Sequence, residues 1–353
     1  MLALYLKYLS SISYVSVSGG MSIEAQFNAL KNNPDIIIAT PGRLIDLIYN
    51  YKSINLEDIS IFVLDEADKL LELGFKDAIL EIINLMQKNT VRQTLLFSAT
   101  LNTKIVDLEK KALKNPIKVK MSHSALLSNL KQSIIRMKFK IKENDEEAFE
   151  KRMSYMLFLL KNEGITRSII FFNTKKDCHK AKIVLDKFQF RSKELNSNIN
   201  QTERLQNLND FQLDKVDFLL ATDIAARGID IEKVRFVVNF DFPLESAKYI
   251  HRIGRTARKG YLGQAITICD DDERGQLKKI AKKNNFELHL IKIDNGYVKK
   301  FYKQLLGYQE EINRLFEDDE VEMELQDAEK EVDKTMNMTL FKKDIFNKPK
   351  KFF

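Results

Sequence analysis

Short apolar runs punctuate the chain at residues 36–39, 61–64, 94–97, 168–172, 218–221, 236–240 and 265–269. Each run is continuous rather than alternating, as expected for strands covered by helices on both faces. Between them, stretches such as 75–87 and 176–188 repeat apolar residues every three or four positions, the spacing of one-faced helices. That order predicts βαβ units and an open parallel sheet, and it occurs twice. The opening MLALYLKYLSSISYVSV predicts a helix with Leu2, Leu6 and Leu9 on one side, then a strand. It has neither a basic start nor a small-residue cleavage site, which argues against a leader peptide.

A polar, aperiodic break at 121–128 and a charged run at 142–151 divide the two βαβ series. The expected organisation is a first α/β domain over 1–120, a linker at 121–130, and a second domain over 131–295 that opens with a strand at 133–139. From 296 the α/β alternation stops. Residues 297–334 are Leu- and Glu-rich with helical spacing, and a Lys/Phe tail completes a charged extension over 296–353.

At 353 residues with 44% hydrophobic content the chain can bury two ordinary cores, and no run of about 20 apolar residues predicts a membrane span. Cys178 and Cys269 stand far apart with no Cys-x-x-Cys or His cluster beside them. The expectation is neither a disulfide framework nor a zinc site, and a reducing compartment. The net charge of +7 is unevenly spread. Residues 310–333 hold twelve acids against Arg314 and Lys330, residues 334–353 carry a net +5, and residues 1–309 a net +12. A basic globular part suggests a polyanionic partner, although many basic proteins bind no nucleic acid.

The informative polar residues follow strand candidates, where open parallel sheets bind ligands. Asp65 and Glu66 follow the run IFVL. An Asp there can hold Mg²⁺ and an adjacent Glu can take a proton from water, yet an acid cluster opening a helix is also a common charge preference. ATPGR (39–43) offers a hydroxyl, a Gly backbone and an Arg to a sugar-phosphate chain, and SAT (98–100) offers two hydroxyls. Alone, each reads more often as a turn and a helix cap. In the second half stand ATDIAARGID (221–230) and HRIGRTAR (251–258). The latter gathers three arginines, the side chain suited to charge on a transferring phosphoryl group.

Taken in order, Gly19-Gly20, ATPGR, DEAD, SAT, SIIFFNT, QTER, ATDIAARGID and HRIGRTAR resemble the DEAD-box RNA helicases over roughly residues 10–290. The resemblance implies an α/β chain of two RecA-like parallel-sheet domains, with ATP and Mg²⁺ between them and RNA across both. It implies Asp65 as the Mg²⁺-linked acid and Glu66 as catalytic base, with Arg255 and Arg258 as arginine fingers and Asp230 as the nucleotide-sugar contact. Asp68, Ser98, Thr100, His251 and Arg252 are implied in coupling the domains. RNA contacts are implied at Gly20, Thr40, Gly42 and Arg43, then at Asn173, Thr174, Gln201, Arg204, Thr222, Asp223 and Gly228. The stretch from 301 onward resembles the extension of nucleolar members that act in large-ribosomal-subunit assembly. That implies pre-ribosomal particles as partners, a nuclear and nucleolar address, and a monomeric core.

The family's G-x-x-x-x-G-K-[ST] phosphate loop has no counterpart, because no Gly in the 353 residues is followed by Lys. The first RecA-like domain is therefore expected to be truncated, with open strand edges and uncovered apolar surface. Two readings stand: an ATP-dependent RNA helicase with an incomplete or mis-set start, or a polypeptide that binds RNA or partners without ATP turnover. A DNA-directed helicase of the same superfamily is a third reading, disfavoured by the DEAD and HRIGRTAR spellings.

Overall fold

The structure, a computed structural model, describes residues 8–9, 11–51, 54–86, 92–120, 129–137, 145–223, 231–243, 245–258 and 260–346. They fall into two compact units, 1–120 and 121–353.

The first unit contains two parallel strand pairs. β1 (Tyr14–Val17) pairs with β2 (Ile36–Ala39), and β3 (Ile61–Leu64) pairs with β4 (Gln93–Leu96). Helices α1 (Ile23–Leu30), α2 (Pro41–Tyr51), α3 (Ala67–Glu72), α4 (Lys76–Leu85) and α5 (Thr103–Ala112) accompany them. Ser22 caps α1 and Asn102 caps α5, while Pro41 opens α2 at the first helical position, where an N–H would have no intrahelical acceptor. The larger core cluster joins Leu44 and Ile48 of α2, Leu64, Ile79, Ile82 and Ile83 of α4, and Ile105 and Leu108 of α5. No hydrogen-bonded ladder joins the two strand pairs among the described residues. Ile38, Ile61, Val63 and Phe97 are exposed.

The second unit is built on a seven-stranded parallel sheet in the order β11-β5-β10-β9-β6-β8-β7. Its strands are β5 (Leu130–Arg136), β6 (Ser168–Phe172), β7 (Ser192–Leu195), β8 (Phe218–Thr222), β9 (Phe236–Asn239), β10 (Gly263–Cys269) and β11 (His289–Leu290). Its helices are α6 (Asp145–Asn162), α7 (Lys175–Lys187), α8 (Gln201–Gln212), α9 (Ser246–Ile253), α10 (Asp271–Asn284) and α11 (Asn295–Phe346). Alternate side chains of the central strand β6 feed two cores. Ile170 and Phe172 pack with α6, α7 and α11, and Ile169 and Phe171 pack with α8, α9 and α10. Both faces are covered, which explains why the strands read as unbroken apolar runs.

The charged extension is less separate than its composition suggests. Val298, Leu305 and Ile312 of α11 are buried in the same core as α6 and α7. β7 and β11 escape a pattern search because SKEL is half polar and β11 has two residues. Leu9 is exposed and lies outside any helix, and the rest of the expected N-terminal helix falls on residues 1–7, outside the described set. The break at 121–128, Gly228, Asp230 and the tail beyond 346 also lie outside it.

Candidate functional site

In the first unit, the chain leaves β3 at Leu64 and turns through Asp65 and Glu66 into α3. Glu66 sits in the left-handed region at φ 46°, ψ 47°, a conformation costing about 1–2 kcal/mol for a residue with a Cβ. Asp65 Oδ1 accepts from the Glu66 N–H at 2.9 Å, Glu66 O accepts from the Lys69 N–H at 2.8 Å, and the Ala67 N–H donates to Phe97 O at 2.9 Å. The turn is thereby pinned to the end of β4, and both carboxylates stay exposed at the carboxyl end of the sheet.

Asp68 faces inward and is only 2% exposed. Its Oδ2 accepts from the Thr100 N–H at 3.1 Å and from the Thr100 hydroxyl at 3.0 Å, and Oδ1 accepts from the Lys69 N–H at 3.1 Å. Ser98 Oγ donates to Thr100 O at 2.7 Å and accepts from the Thr100 N–H at 3.3 Å. DEAD and SAT are therefore one network, and the buried carboxylate is satisfied by three donors. Asp65 and Glu66 present hard oxygens suited to Mg²⁺. No cluster of three or more His, Cys, Asp or Glu forms a metal cage among the described residues. One or two carboxylates beside a phosphate chain is the usual Mg²⁺ arrangement, so the residues present fit that ion.

A second network ties the Gly19-Gly20 loop to ATPGR. Gln26 of α1 is buried; its Oε1 accepts from the Ser18 N–H at 3.0 Å, and its Nε2 donates to Ser18 O at 3.1 Å and Met21 O at 3.2 Å. Arg43 Nη1 donates to the same Met21 O at 3.1 Å. Gly20 turns at φ 82°, which a side chain resists, and a Cβ on Gly42 would touch the Phe75 ring at 3.4 Å. The Thr40 N–H continues from β2 to Val17 O at 2.9 Å. Gly20, Thr40, Gly42 and Arg43 thus share one corner of the first unit.

In the second unit, Arg252 of α9 gathers the carboxyl ends of three strands. Its Nε and Nη2 donate to Asp223 Oδ1 and Oδ2 at 2.7 and 2.9 Å, Nη1 to Asp241 O at 2.7 Å, and Nη2 to Asn173 Oδ1 at 2.8 Å. The Asn173 N–H donates to Asp241 Oδ2 at 2.9 Å and its Nδ2 to Phe242 O at 3.0 Å. Arg252 is 1% exposed, with its guanidinium 5.2 Å from the Phe171 ring centre. All three guanidinium nitrogens of Arg252 thus donate within the second unit. Asp223 and Asn173 turn side-chain oxygens onto Arg252, with Asn173 exposed and Asp223 half-buried.

Thr174 caps α7, its hydroxyl accepting from the Asp177 N–H at 3.0 Å and donating to Asp177 Oδ2 at 2.6 Å. Gln201 and Arg204 lie one turn apart at the start of α8, below the Asn200 cap, and burial lowers the Arg204 pKa. Thr222 ends β8 half-buried. His251 lies in the last turn of α9, and Arg255 and Arg258 follow the helix, with Arg258 Nε donating to Gly254 O at 2.8 Å. All three are half-buried within their own unit.

Two polar struts were not apparent from motifs. Besides Gln26, Arg152 of α6 is buried and donates to Phe240 O at 2.8 Å, Ile268 O at 3.2 Å and Glu273 at 3.0 and 3.1 Å. It supports Asp241, whose pKa burial raises against the pull of Arg152 and the Asn173 N–H. Each strut has a faint signal: a polar residue on the apolar side of its helix, Gln26 beneath Leu30 and Arg152 between Phe149 and Met156.

Comparison with known proteins places these networks in context. Residues 2–108 match the family described as DEAD/DEAH box helicase, and residues 151–260 match the helicase conserved C-terminal domain. The chain is 38% identical over 336 residues to DEAD-box ATP-dependent RNA helicase 28 of Oryza sativa subsp. japonica, covering 95% of this chain and 41% of that protein. It is 32% identical over 352 residues to ATP-dependent RNA helicase DRS1 of Meyerozyma guilliermondii, covering 98% and 49%. The chain thus spans less than half the length of these relatives. Among solved structures, it resembles the DEAD-box helicase Mss116 bound to ssRNA and UDP-BeF, with TM-score 0.68, 29% identity, and 84% and 61% of the two chains covered. It also resembles S. cerevisiae Dbp5 bound to RNA and ADP BeF3, with TM-score 0.66, 28% identity, and 84% and 74% covered.

Proposed function

The chain belongs to the DEAD/DEAH-box helicase family, and on that premise we propose that it is an ATP-dependent RNA helicase that remodels RNA–protein particles. The observation that carries this reading is the fusion of DEAD and SAT into one buried network through Asp68 and Thr100. A side-chain tie between the Glu66 turn and the end of β4 gives a change at one a path to the other. In this reading Asp65 holds Mg²⁺, and Glu66 takes a proton from the attacking water. Arg255 and Arg258 offset the charge that develops on the phosphates. ATP and Mg²⁺ supply, when bound, the phosphoryl group and the neutralisation of its charge. Gly20, Thr40, Gly42 and Arg43 in the first unit, with Thr174, Gln201, Arg204 and Thr222 in the second, hold the RNA backbone, so binding is independent of sequence. Asn173, Asp223 and Arg252 set the shape of that surface.

Action in large-ribosomal-subunit assembly, with a nucleolar address, is supported by the likeness of the C-terminal stretch to nucleolar members of the family. A second reading, RNA or partner binding without ATP turnover by this polypeptide, is favoured by one observation: no Gly among the 353 residues is followed by Lys. Backbone amides and a Lys around the phosphates normally supply much of the ATP affinity.

RNA-stimulated ATP hydrolysis by the 353-residue chain, compared with Glu66→Gln, separates the readings. Hydrolysis that RNA raises and Glu66→Gln abolishes establishes the enzyme. RNA binding with no hydrolysis establishes the second reading, and no RNA binding at all overturns the helicase reading and the RNA-binding arm of the second.

A further inference from the structure

The long helix α11 crosses α7 in an antiparallel sense and changes character midway. Val298, Leu305 and Ile312 recur every seven residues and are buried against α6 and α7, with Phe301, Leu315 and Phe316 packed beside them. Phe188, at the C-terminal end of α7, meets Phe301 and Tyr308 edge-on, each with ring centres 6.2 Å apart. The next position in that seven-residue series is Asp319 rather than an apolar residue. Its Oδ2 lies 3.1 Å from His179 Nε2, while His179 Nδ1 lies 3.2 Å from Glu194 of β7. Beside it Glu320 pairs with Lys176 at 2.8 Å, and further back Glu311 pairs with Lys187. From Asp319 onward, therefore, the described contact is held by charge rather than by apolar burial.

This ionic end lies at the first turns of α7, the helix that Thr174 caps. A helix N-terminus with Lys175 and Lys176 favours anions, and the carboxylates of α11 sit where polyanion phosphates are also attracted. We propose that Glu320 on Lys176 and Asp319 on His179 form a latch in cis, and that single-stranded RNA competes with Glu320 for Lys176 as a phosphate subsite. The proposal rests on the reading of Thr174 as RNA-facing. The apolar seam up to Ile312 keeps α11 anchored when the latch opens, so opening exposes cations without detaching the helix. The side chains of Glu317 and Asp318, one turn position away, are exposed and supply an internal control of equal charge.

The test measures affinity of the full chain for a labelled oligo(U) at low salt, comparing wild type with Asp319→Asn/Glu320→Gln and with Glu317→Gln/Asp318→Asn. Each double variant removes two charges from the same turns of α11. The latch predicts that Asp319→Asn/Glu320→Gln binds about three- to tenfold tighter than the control pair. It also predicts a salt dependence steeper by about 0.7 in log–log slope, the increment of one added phosphate contact to a single strand. Equal affinity in the two double variants reduces the effect to bulk charge and overturns the latch. Absence of RNA binding in every form, wild type included, instead overturns the reading of the site on which the latch rests. Circular dichroism of each variant verifies that helix content is retained, so a loss of fold is not mistaken for an opened latch.

Discussion

The two units meet the same demand with different means. Each must hold polar side chains at the carboxyl ends of parallel strands, and each does so with a buried charged residue that ties strand ends together. In the second unit Arg252 joins the ends of β6, β8 and β9 above a seven-stranded sheet covered on both faces. In the first, Asp68 joins the β3 turn to the segment after β4, and that pair of strands leaves Ile61 59% and Val63 49% exposed. A polar strut is as firm as the layers around it: where helices cover both faces the network is locked by packing, and where they do not it must supply rigidity itself. The strained Glu66 turn, between the buried Leu64 and Ala67, is held by three hydrogen bonds.

The largest effect expected from breaking this contrast is in the second unit. Arg252→Ala leaves Asp223, Asn173 and the Asp241 carbonyl without their buried partner, and should destabilise that unit by about 3–5 kcal/mol. Hydrogen exchange should then rise across β6, β8 and β9 while β3 and β4 are unchanged. The same side-chain truncation placed in each unit sharpens the comparison. Ile170→Ala, at a fully buried site, should cost about 2–5 kcal/mol, whereas Ile61→Ala at the exposed site in β3 should stay within about 0.5 kcal/mol. Denaturant melts of the two variants decide the matter, and equal losses would remove the distinction between covered and uncovered sheets. Asp68→Ala comes next, at about 1–3 kcal/mol for the Thr100 donors it strands. Its signature is faster exchange at Ala99 and Thr100.

The smallest effect concerns pH. Burial works against charge on His179, yet the carboxylates of Glu194 on β7 and Asp319 on α11 together outweigh it and raise its pKa above 6.5. Lys176 and Lys180 flank it on α7. Because the folded pKa is the higher one, the contribution is complete below the unfolded value and is lost as pH rises through the folded value. The contact between α7 and α11 should therefore loosen slightly above neutral pH, and His179→Ala should abolish that dependence in melts followed from pH 6 to 8.5.

Most of this architecture is legible in the sequence where physics is local. The runs at 36–39, 61–64 and 168–172 coincide with β2, β3 and β6; burial on both faces accounts for the unbroken run of β6, whereas Ile38 of β2 and Ile61 and Val63 of β3 are exposed. The strand SKEL is not legible, since an edge position tolerates Lys193 and Glu194. The family resemblance groups Asp68 with Ser98 and Thr100, while the hydrogen bonds between Asp68 and Thr100 are seen only in the structure. The inward turn of Arg252 is not legible either, because a sequence of arginines carries no sign of which one the core will claim. Asp319 is similar: composition reads it as one acid among twelve, while the seven-residue register of Val298, Leu305 and Ile312 sets it against His179.

The most direct test of the central claim is the affinity of the 353-residue chain for a short oligo(U), measured alongside Arg43→Ala and Arg204→Ala. One arginine lies in the Gly20–Arg43 corner of the first unit and the other at the start of α8 in the second. The account predicts sequence-independent binding that weakens about tenfold with either substitution, the loss of one charge-assisted hydrogen bond, and a shallower salt dependence in both. Binding that neither substitution alters would contradict it.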